Sequence, residues 1–186
     1  MVVLIAGVHA VGKSYLAAPL AERLRLRHAT ASQLIKAERG KESWGNDKTV
    51  SDVDGNQRAL VRAVSTLRSD GEVLLLDGHL VLRGHDGKNV RLPLEVFRDL
   101  DLDGIVLLEA PTDVILERLE LRKDISWDHE AVSTLACAER EHAHEVAESL
   151  HIPLVVLSSP SEAEFRNAVE TIIAARSTSE SKHPPS

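Results

Sequence analysis

The sequence predicts an α/β fold: a five-stranded parallel sheet with helices on both faces, in three layers. Three observations carry that prediction. Apolar runs of strand length alternate with amphipathic stretches of helical period along most of the chain. Phe, Trp and Tyr together make up only 3% of the 186 residues, so the core is aliphatic, as suits a sheet buried on both sides. The first apolar run ends at a glycine-rich turn that leads straight into a helix, Gly7-Val8-His9-Ala10-Val11-Gly12-Lys13-Ser14.

The elements follow in order. Val2 to Ala6 is a continuous apolar run and reads as a central strand. Leu16, Ala17, Leu20, Ala21 and Leu24 recur at helical spacing over residues 13–26, with Pro19 as a point of kinking or loosening. His28 to Ala31 is a short second strand, and Ser32 caps a helix reaching Arg39. The polar, glycine-punctuated stretch Gly40 to Asp54 reads as a mobile loop. Helical spacing returns from Asn56 to Leu67, and Glu72 to Asp77 is a buried strand ending in a carboxylate. Gly84 to Asn89 is a turn-rich excursion, and Pro93 to Leu100 a short helix. A strand over Gly104 to Glu109 precedes an amphipathic helix from Thr112 to Arg122. A short polar connection, Lys123 to His129, leads into a long helix from Glu130 to Leu150. Its apolar face carries Val132, Leu135, Ala136, Ala143, Val146, Ala147 and Leu150. The last strand is Pro153 to Leu157 and the last helix runs from Ser161 to about Ala175. Residues 1–176 thus form one domain, and the Ser-, Pro- and charge-rich residues 177–186 read as a disordered tail.

A formal charge of -7 argues against a nucleic-acid partner, which calls for a basic face, but not against a nucleotide, which needs only local positive groups. Cys137 is the sole cysteine, so no intrachain disulfide forms; a reducing cytoplasm fits, and Cys137 itself reads as a small buried helix residue. No stretch is apolar and long enough to cross a membrane, and residues 1–7 lack the basic start of a signal peptide.

Gly7 to Ser14 matches G-x-x-x-x-G-K-[ST] without a mismatch, in the required strand–loop–helix context. That makes the predicted fold a three-layer P-loop NTPase. Glycines let the backbone wrap phosphates, and the loop amides with the helix N-terminus form an anion nest. Lys13 brings positive charge to the β- and γ-phosphates, and Ser14 offers a hydroxyl to Mg²⁺. Gly7, Val8, His9, Ala10, Val11, Gly12, Lys13, Ser14 and Tyr15 are therefore assigned to ATP. His9 either touches the phosphates or fills the loop as a spacer.

Asp77, at a strand end, fits a carboxylate that holds Mg²⁺ or orients an acceptor; the plainer reading is a turn or capping Asp. His79 either bonds the acceptor or shapes the turn. Arg118 and Arg122 lie four apart on one helix face, ahead of the short connection where a lid is expected, with Lys123 next and Arg140 on the following helix. Guanidinium groups placed there would stabilise a transferring phosphoryl group; the alternative is a solvated charged face with Glu117 and Glu120.

The P-loop strand, the Asp-x-His at Asp77–His79 and the Arg-Leu-x-x-Arg over 118–122 resemble the adenylate kinase branch of P-loop kinases. The similarity is to archaeal-type adenylate kinases and related small nuclear adenylate kinase/ATPases, over roughly residues 1–175. Asn56-Gln57, Leu76-Asp77-Gly78-His79 and Ser32–Lys36 also resemble bacterial AAA-family ATP-binding proteins. The resemblance implies an acceptor pocket with Ser32, Asp54, Asn56, Gln57 and Arg58, joined by Asp77 and His79. It implies Arg118 over the adenine, Pro160 at its edge, and Arg122, Lys123 and Arg140 facing the transferring group. His9-Ala10 stands where adenylate kinases usually carry Pro-Gly, and Asp54 and Arg58 lie one residue further apart than in the archaeal type.

Function is thus expected to be transfer of the γ-phosphoryl of ATP to a nucleotide or nucleoside, with Mg²⁺ as cofactor. A regulatory or assembly ATPase that acts with a protein partner is the second reading, and a kinase of another small molecule the third. A monomer or small homo-oligomer is expected.

Overall fold

A computed structural model describes residues 1–40, 53–84, 87–124 and 126–180 of the chain. Among the described residues there are fourteen elements, and all but the short strands β4 and β5 correspond to elements the sequence predicts. They are β1 (Val2–Ala6), α1 (Lys13–Leu24), β2 (Arg27–Thr30), α2 (Ala31–Arg39), α3 (Val53–Ser69), β3 (Leu74–Asp77) and β4 (Val81–Arg83). Then follow β5 (Asn89–Arg91), α4 (Leu94–Asp99), β6 (Gly104–Glu109), α5 (Thr112–Leu121), α6 (His129–Leu150), β7 (Leu154–Ser158) and α7 (Glu162–Glu180).

The main sheet has five parallel strands in the order β2-β3-β1-β6-β7. β1 lies at its centre, in register with β3 (Leu4 opposite Leu76) and with β6 (Leu4 opposite Ile105). All five residues of β1 and all four of β3 are buried, which is why both read as unbroken apolar runs. The chain steps from β1 to one side through β2 and β3, then to the other through β6 and β7. Helices cover both faces: α1 and α7 pack together, while α6 rests on β6 and β7 and contacts α4 and α5.

α1 buries Leu16, Ala17, Leu20 and Ala21, as the spacing predicts, and runs unbroken through Pro19. Pro19 sits on the exposed side, where a lost backbone hydrogen bond is least costly. The α2 cap is Thr30 rather than Ser32. The Thr30 hydroxyl accepts from the Gln33 N–H at 3.1 Å, and the Gln33 side chain accepts from the Thr30 N–H at 3.0 Å, a reciprocal pair. On either side of the expected excursion, β4 and β5 pair antiparallel, with Leu82 facing Val90; residues 85–86 lie outside the described residues. α7 continues to Glu180, beyond the expected end at Ala175; residues 181–186 of the expected tail and 41–52 of the expected loop lie outside the described residues. Cys137 is exposed rather than buried, because it lies off the apolar stripe of α6.

Asp103, 6% exposed, ties the sheet to two helices. It accepts the Val2 N–H at 2.7 Å and pairs with Arg68 of α3 at 3.0 Å and Arg176 of α7 at 3.1 Å. Removing the carboxylate takes the acceptor from the Val2 N–H and one ion pair from each arginine, so Asp103→Ala is expected to cost about 3 kcal/mol, read as a lower denaturation midpoint with an unchanged slope.

Candidate phosphate-binding and acceptor site

The loop between β1 and α1 is shaped by backbone conformations that most residues resist. Gly7 has φ +134° and Gly12 φ +116°, and between them Ala10 adopts φ +60°. At Gly7 a Cβ would run into the backbone carbonyl oxygen of Leu108 on β6, so the loop leaves the sheet in close backbone contact with its neighbour. Arg118 of α5 braces the loop from outside, donating from Nη1 to the carbonyls of Ala10 (3.2 Å) and Val11 (2.8 Å). The expected Arg118–Arg122 pair therefore divides: Arg118 holds the loop, while Arg122, at the α5 C-cap, lines the cavity beside it.

Lys13 is 7% exposed and donates from Nζ to the carbonyls of Gly7 (2.7 Å) and Val8 (3.1 Å). Its Nζ lies 3.9 Å from Asp77 Oδ1. Burial pushes the ammonium below the usual lysine range, with Asp77 and Glu139 opposing and Arg122 reinforcing the shift. The Ser14 hydroxyl donates to Asp77 Oδ2. A hydroxyl and a carboxylate side by side at the end of a phosphate loop form a hard-oxygen set that suits Mg²⁺, which completes its shell with phosphate oxygens and water. These two residues could hold it. Among the described residues no group of three or more His, Cys, Asp or Glu could hold a metal ion by itself.

Beyond the loop opens a cavity of about 880 Å³. One wall is the loop and helix start, His9 to Tyr15; Tyr15 is 74% exposed at the rim. The opposite wall is Ser32 and Ile35 of α2 with Asn56, Gln57 and Leu60 of α3. The floor includes Asp77, Gly78 and His79, and the far end Leu82, Leu92, Val96 and Phe97. Of the residues singled out in the sequence, Ser32, Asn56, Gln57, Asp77, His79 and Arg122 line this one space. Asn56 is held by Arg39, which donates to its Oδ1.

Other expected site residues lie elsewhere. Asp54 and Arg58 are exposed on α3 and do not line the cavity. Lys123 is exposed in the α5–α6 connection with φ +59°, outside the lining. Arg140 makes a two-pronged ion pair with Glu109 of β6 and lines a separate pocket of about 300 Å³ that also touches Gly7 and Val8. Pro160, half-buried after β7, lines neither cavity.

Sequence reasoning missed four contributors. Trp127 lines the cavity from the α5–α6 connection, 5.6 Å from the His9 ring. Arg83 of the hairpin sits 4.6 Å over the Trp127 ring and donates to the Ser126 carbonyl at 2.9 Å, so the hairpin and the connection are stapled together. Glu139 is 1% exposed on α6 and accepts the Leu80 N–H at 3.2 and 3.1 Å through its two oxygens. His142, one turn on, bonds the Leu92 carbonyl at 2.7 Å, so α6 grips both ends of the hairpin excursion. The signal was available: Glu139 and His142 fall on the apolar stripe of α6, where a polar residue needs a buried partner.

The two cavity histidines are neutral. His79 is held down to about 3, first by burial and then by the Lys13 charge. His9, its ring 4.3 Å away, is held down to about 4 by burial, His79 and Lys13. Glu139 is pushed up to about 7 by burial, against the pull of the Leu80 N–H and the Lys13 charge.

Comparison with known proteins places this geometry. A family model described as AAA domain matches residues 6–135, from the end of β1 into α6 and across the whole cavity. The chain belongs to the AAA domain family. No curated protein matches it in sequence at a significant level. Solved structures share the fold of this AAA domain at low identity. A shikimate kinase from Acinetobacter baumannii in complex with shikimate is 15% identical at TM-score 0.59, covering 94% of this chain and 93% of its own. A sugar kinase from Janibacter sp. is 16% identical at TM-score 0.56, covering 93% and 94%. A gluconokinase from Sinorhizobium meliloti is 14% identical at TM-score 0.56, covering 98% and 97%. The three-layer P-loop architecture expected of the sequence is the one this AAA domain has.

Proposed function

We propose that this chain is an ATP-dependent phosphotransferase that moves the γ-phosphoryl of ATP to a small acceptor, a nucleotide or nucleoside. The observation that carries the reading is the continuity of the cavity: one space is bounded by the phosphate loop on one side and by Ser32, Asn56 and Gln57 on the other. A switch that only hydrolyses ATP has no need of so large a space reaching from the phosphate loop to α2 and α3. The apolar lining at Ile35, Leu60, Leu82 and Phe97 suits a flat base, with the polar groups of α2 and α3 to orient it. The names of the structural neighbours, kinases of shikimate, sugar and gluconate, support a small acceptor of some kind and keep a hydroxylated non-nucleotide as the alternative.

Catalysis on this reading is positioning and charge neutralisation. The acceptor oxygen forms a bond to the γ-phosphorus as the bond to the leaving ADP oxygen breaks. Lys13 and the loop amides hold the donor phosphates, and Arg122 meets charge that grows on the transferring group. Mg²⁺, when bound by Ser14 and Asp77, neutralises the β- and γ-phosphate oxygens. Asp77, in the lining of the same cavity, is the carboxylate proposed to orient the acceptor oxygen. The adenylate kinase-like reading draws its support from the Asp77–His79 element at the floor of the cavity.

The deciding experiment is a coupled ADP-release assay with ATP and Mg²⁺ against nucleoside monophosphates, nucleosides and sugars. Acceptor-dependent release by a nucleotide or nucleoside supports the proposal. Slow release that no small acceptor stimulates overturns it in favour of a partner-dependent ATPase. In the same assay Arg122→Ala is expected to lower kcat about 10²-fold while the KM for ATP stays within about threefold, because its contact strengthens as charge moves. An unchanged kcat would remove Arg122 from the mechanism.

A further inference from the structure

Glu139 is the most deeply buried acid among the described residues, and phosphoryl transfer as set out above makes no use of it. A carboxylate at that depth is costly unless it is fully bonded. Its bonds are specific. Both oxygens receive the Leu80 N–H, Val81 supplies a further backbone bond, and Oε1 lies 3.2 Å from Nδ1 of His79. The His79 ring in turn packs 4.3 Å from the ring of His9, in the phosphate loop. A continuous path therefore runs from α6 through Glu139 and His79 to the loop. It crosses the turn that also carries Asp77, and α6 is the helix that follows the connection bearing Arg122 and Trp127.

We infer that Glu139 is a positioning residue for the phosphoryl-transfer site: by fixing the 77–80 turn and the His79 ring, it sets how Asp77 and the phosphate loop face each other. The inference rests on the phosphotransferase reading for its kinetic consequence, but not for its geometric one. A merely structural role would need only an acceptor for the Leu80 and Val81 amides; the bond to His79 adds nothing there. If Glu139 acts through His79, its removal matters only while His79 is present.

Two measurements test this on the full chain. The first is independent of turnover: imidazole ¹⁵N spectra of the wild type and Glu139→Gln, with His79 assigned from His79→Ala. Glu139→Gln keeps an acceptor for the Leu80 N–H and so keeps the fold, checked by its melting curve. The His79 ring nitrogens are expected to shift, while those of the exposed His129 and His151 stay in place. An unchanged His79 spectrum overturns the inference. The second is a double-mutant cycle on kcat with the acceptor found by the ADP-release assay. Glu139→Ala is expected to lower kcat about 10- to 100-fold with the KM for ATP within about threefold, and by less than about twofold in a His79→Ala background. Losses that multiply independently overturn it. If Glu139→Ala does not fold, Glu139→Gln takes its place in the cycle. A wild type with no acceptor-dependent release sinks the phosphotransferase reading alone, and the ring spectra then decide whether Glu139 orients His79.

Discussion

Lys13→Ala is expected to abolish measurable phosphoryl transfer, a loss of at least about 10³-fold in kcat, while the folded chain persists. The size follows from where the charge sits. Lys13 is buried at the loop, bonded to the Gly7 and Val8 carbonyls and near Asp77. No other Lys or Arg side chain among the described residues is buried. In so dry a setting a single ammonium counts for far more than in water, and the nearest other cation in the cavity lining, Arg122, is solvent-exposed and cannot replace it. The check is a single-turnover assay beside a melting curve. A variant that melts like the wild type and turns over within tenfold of it would remove the P-loop from the chemistry. Lys13→Arg is expected to rescue little, since a planar fork does not fit the space of a compact ammonium.

Gly7→Ala is expected to give a larger loss of stability than the same change at Gly12, Gly71, Gly78, Gly87 or Gly104. Two penalties fall together: a φ of +134° that a side chain resists, and a Cβ driven into the Leu108 carbonyl oxygen. Backbone cannot swing aside as a flexible side chain can. A cost of at least about 3 kcal/mol follows, which for a domain of this length lowers Tm by roughly 6–12 °C. Gly71→Ala is the control. It has positive φ (+76°) but nothing within 4 Å of the added methyl, so it is expected to cost only about 1 kcal/mol. Equal losses in the two variants would show that strain, not contact with β6, sets the requirement at Gly7.

Much of the donor side was legible in the sequence because its determinants are local. The loop residues are contiguous, and the strand and helix that frame them are set by an apolar run and a 3.6-residue period. Asp77 stood out because it ends such a run. The acceptor side was legible only in part. Ser32, Asn56 and Gln57 reach the cavity, while Asp54 and Arg58 are turned out, since residues two positions from Asn56 or one from Gln57 on a helix face other directions. Arg140 was misplaced by a longer reach: its partner Glu109 lies on β6, and nothing in local spacing links the two. The hairpin was missed because each strand has only three residues, and β5 is exposed throughout, so it leaves no apolar alternation. Ser32 looked like a cap because it is a good capping type, yet Thr30 won by having Gln33 at the reciprocal position.

The reversal of strand order at β1 has a consequence for how such a protein can change its chemistry. The donor half is rooted in the centre of the sheet, where β1, β3 and β6 lock one another. The proposed acceptor half hangs from the rim: α2 packs mainly on α3 and β2, and α3 reaches the body through α4, the core residues Leu60 and Val64 and the Arg68–Asp103 pair. Rebuilding only the cavity-facing residues of α2 and α3 would therefore leave the sheet register and the Gly7–Leu108 approach untouched. Such an architecture separates what is conserved by physics from what is free to drift, and makes the α2–α3 pair the natural cassette for grafting a new acceptor onto an unchanged ATP-binding core.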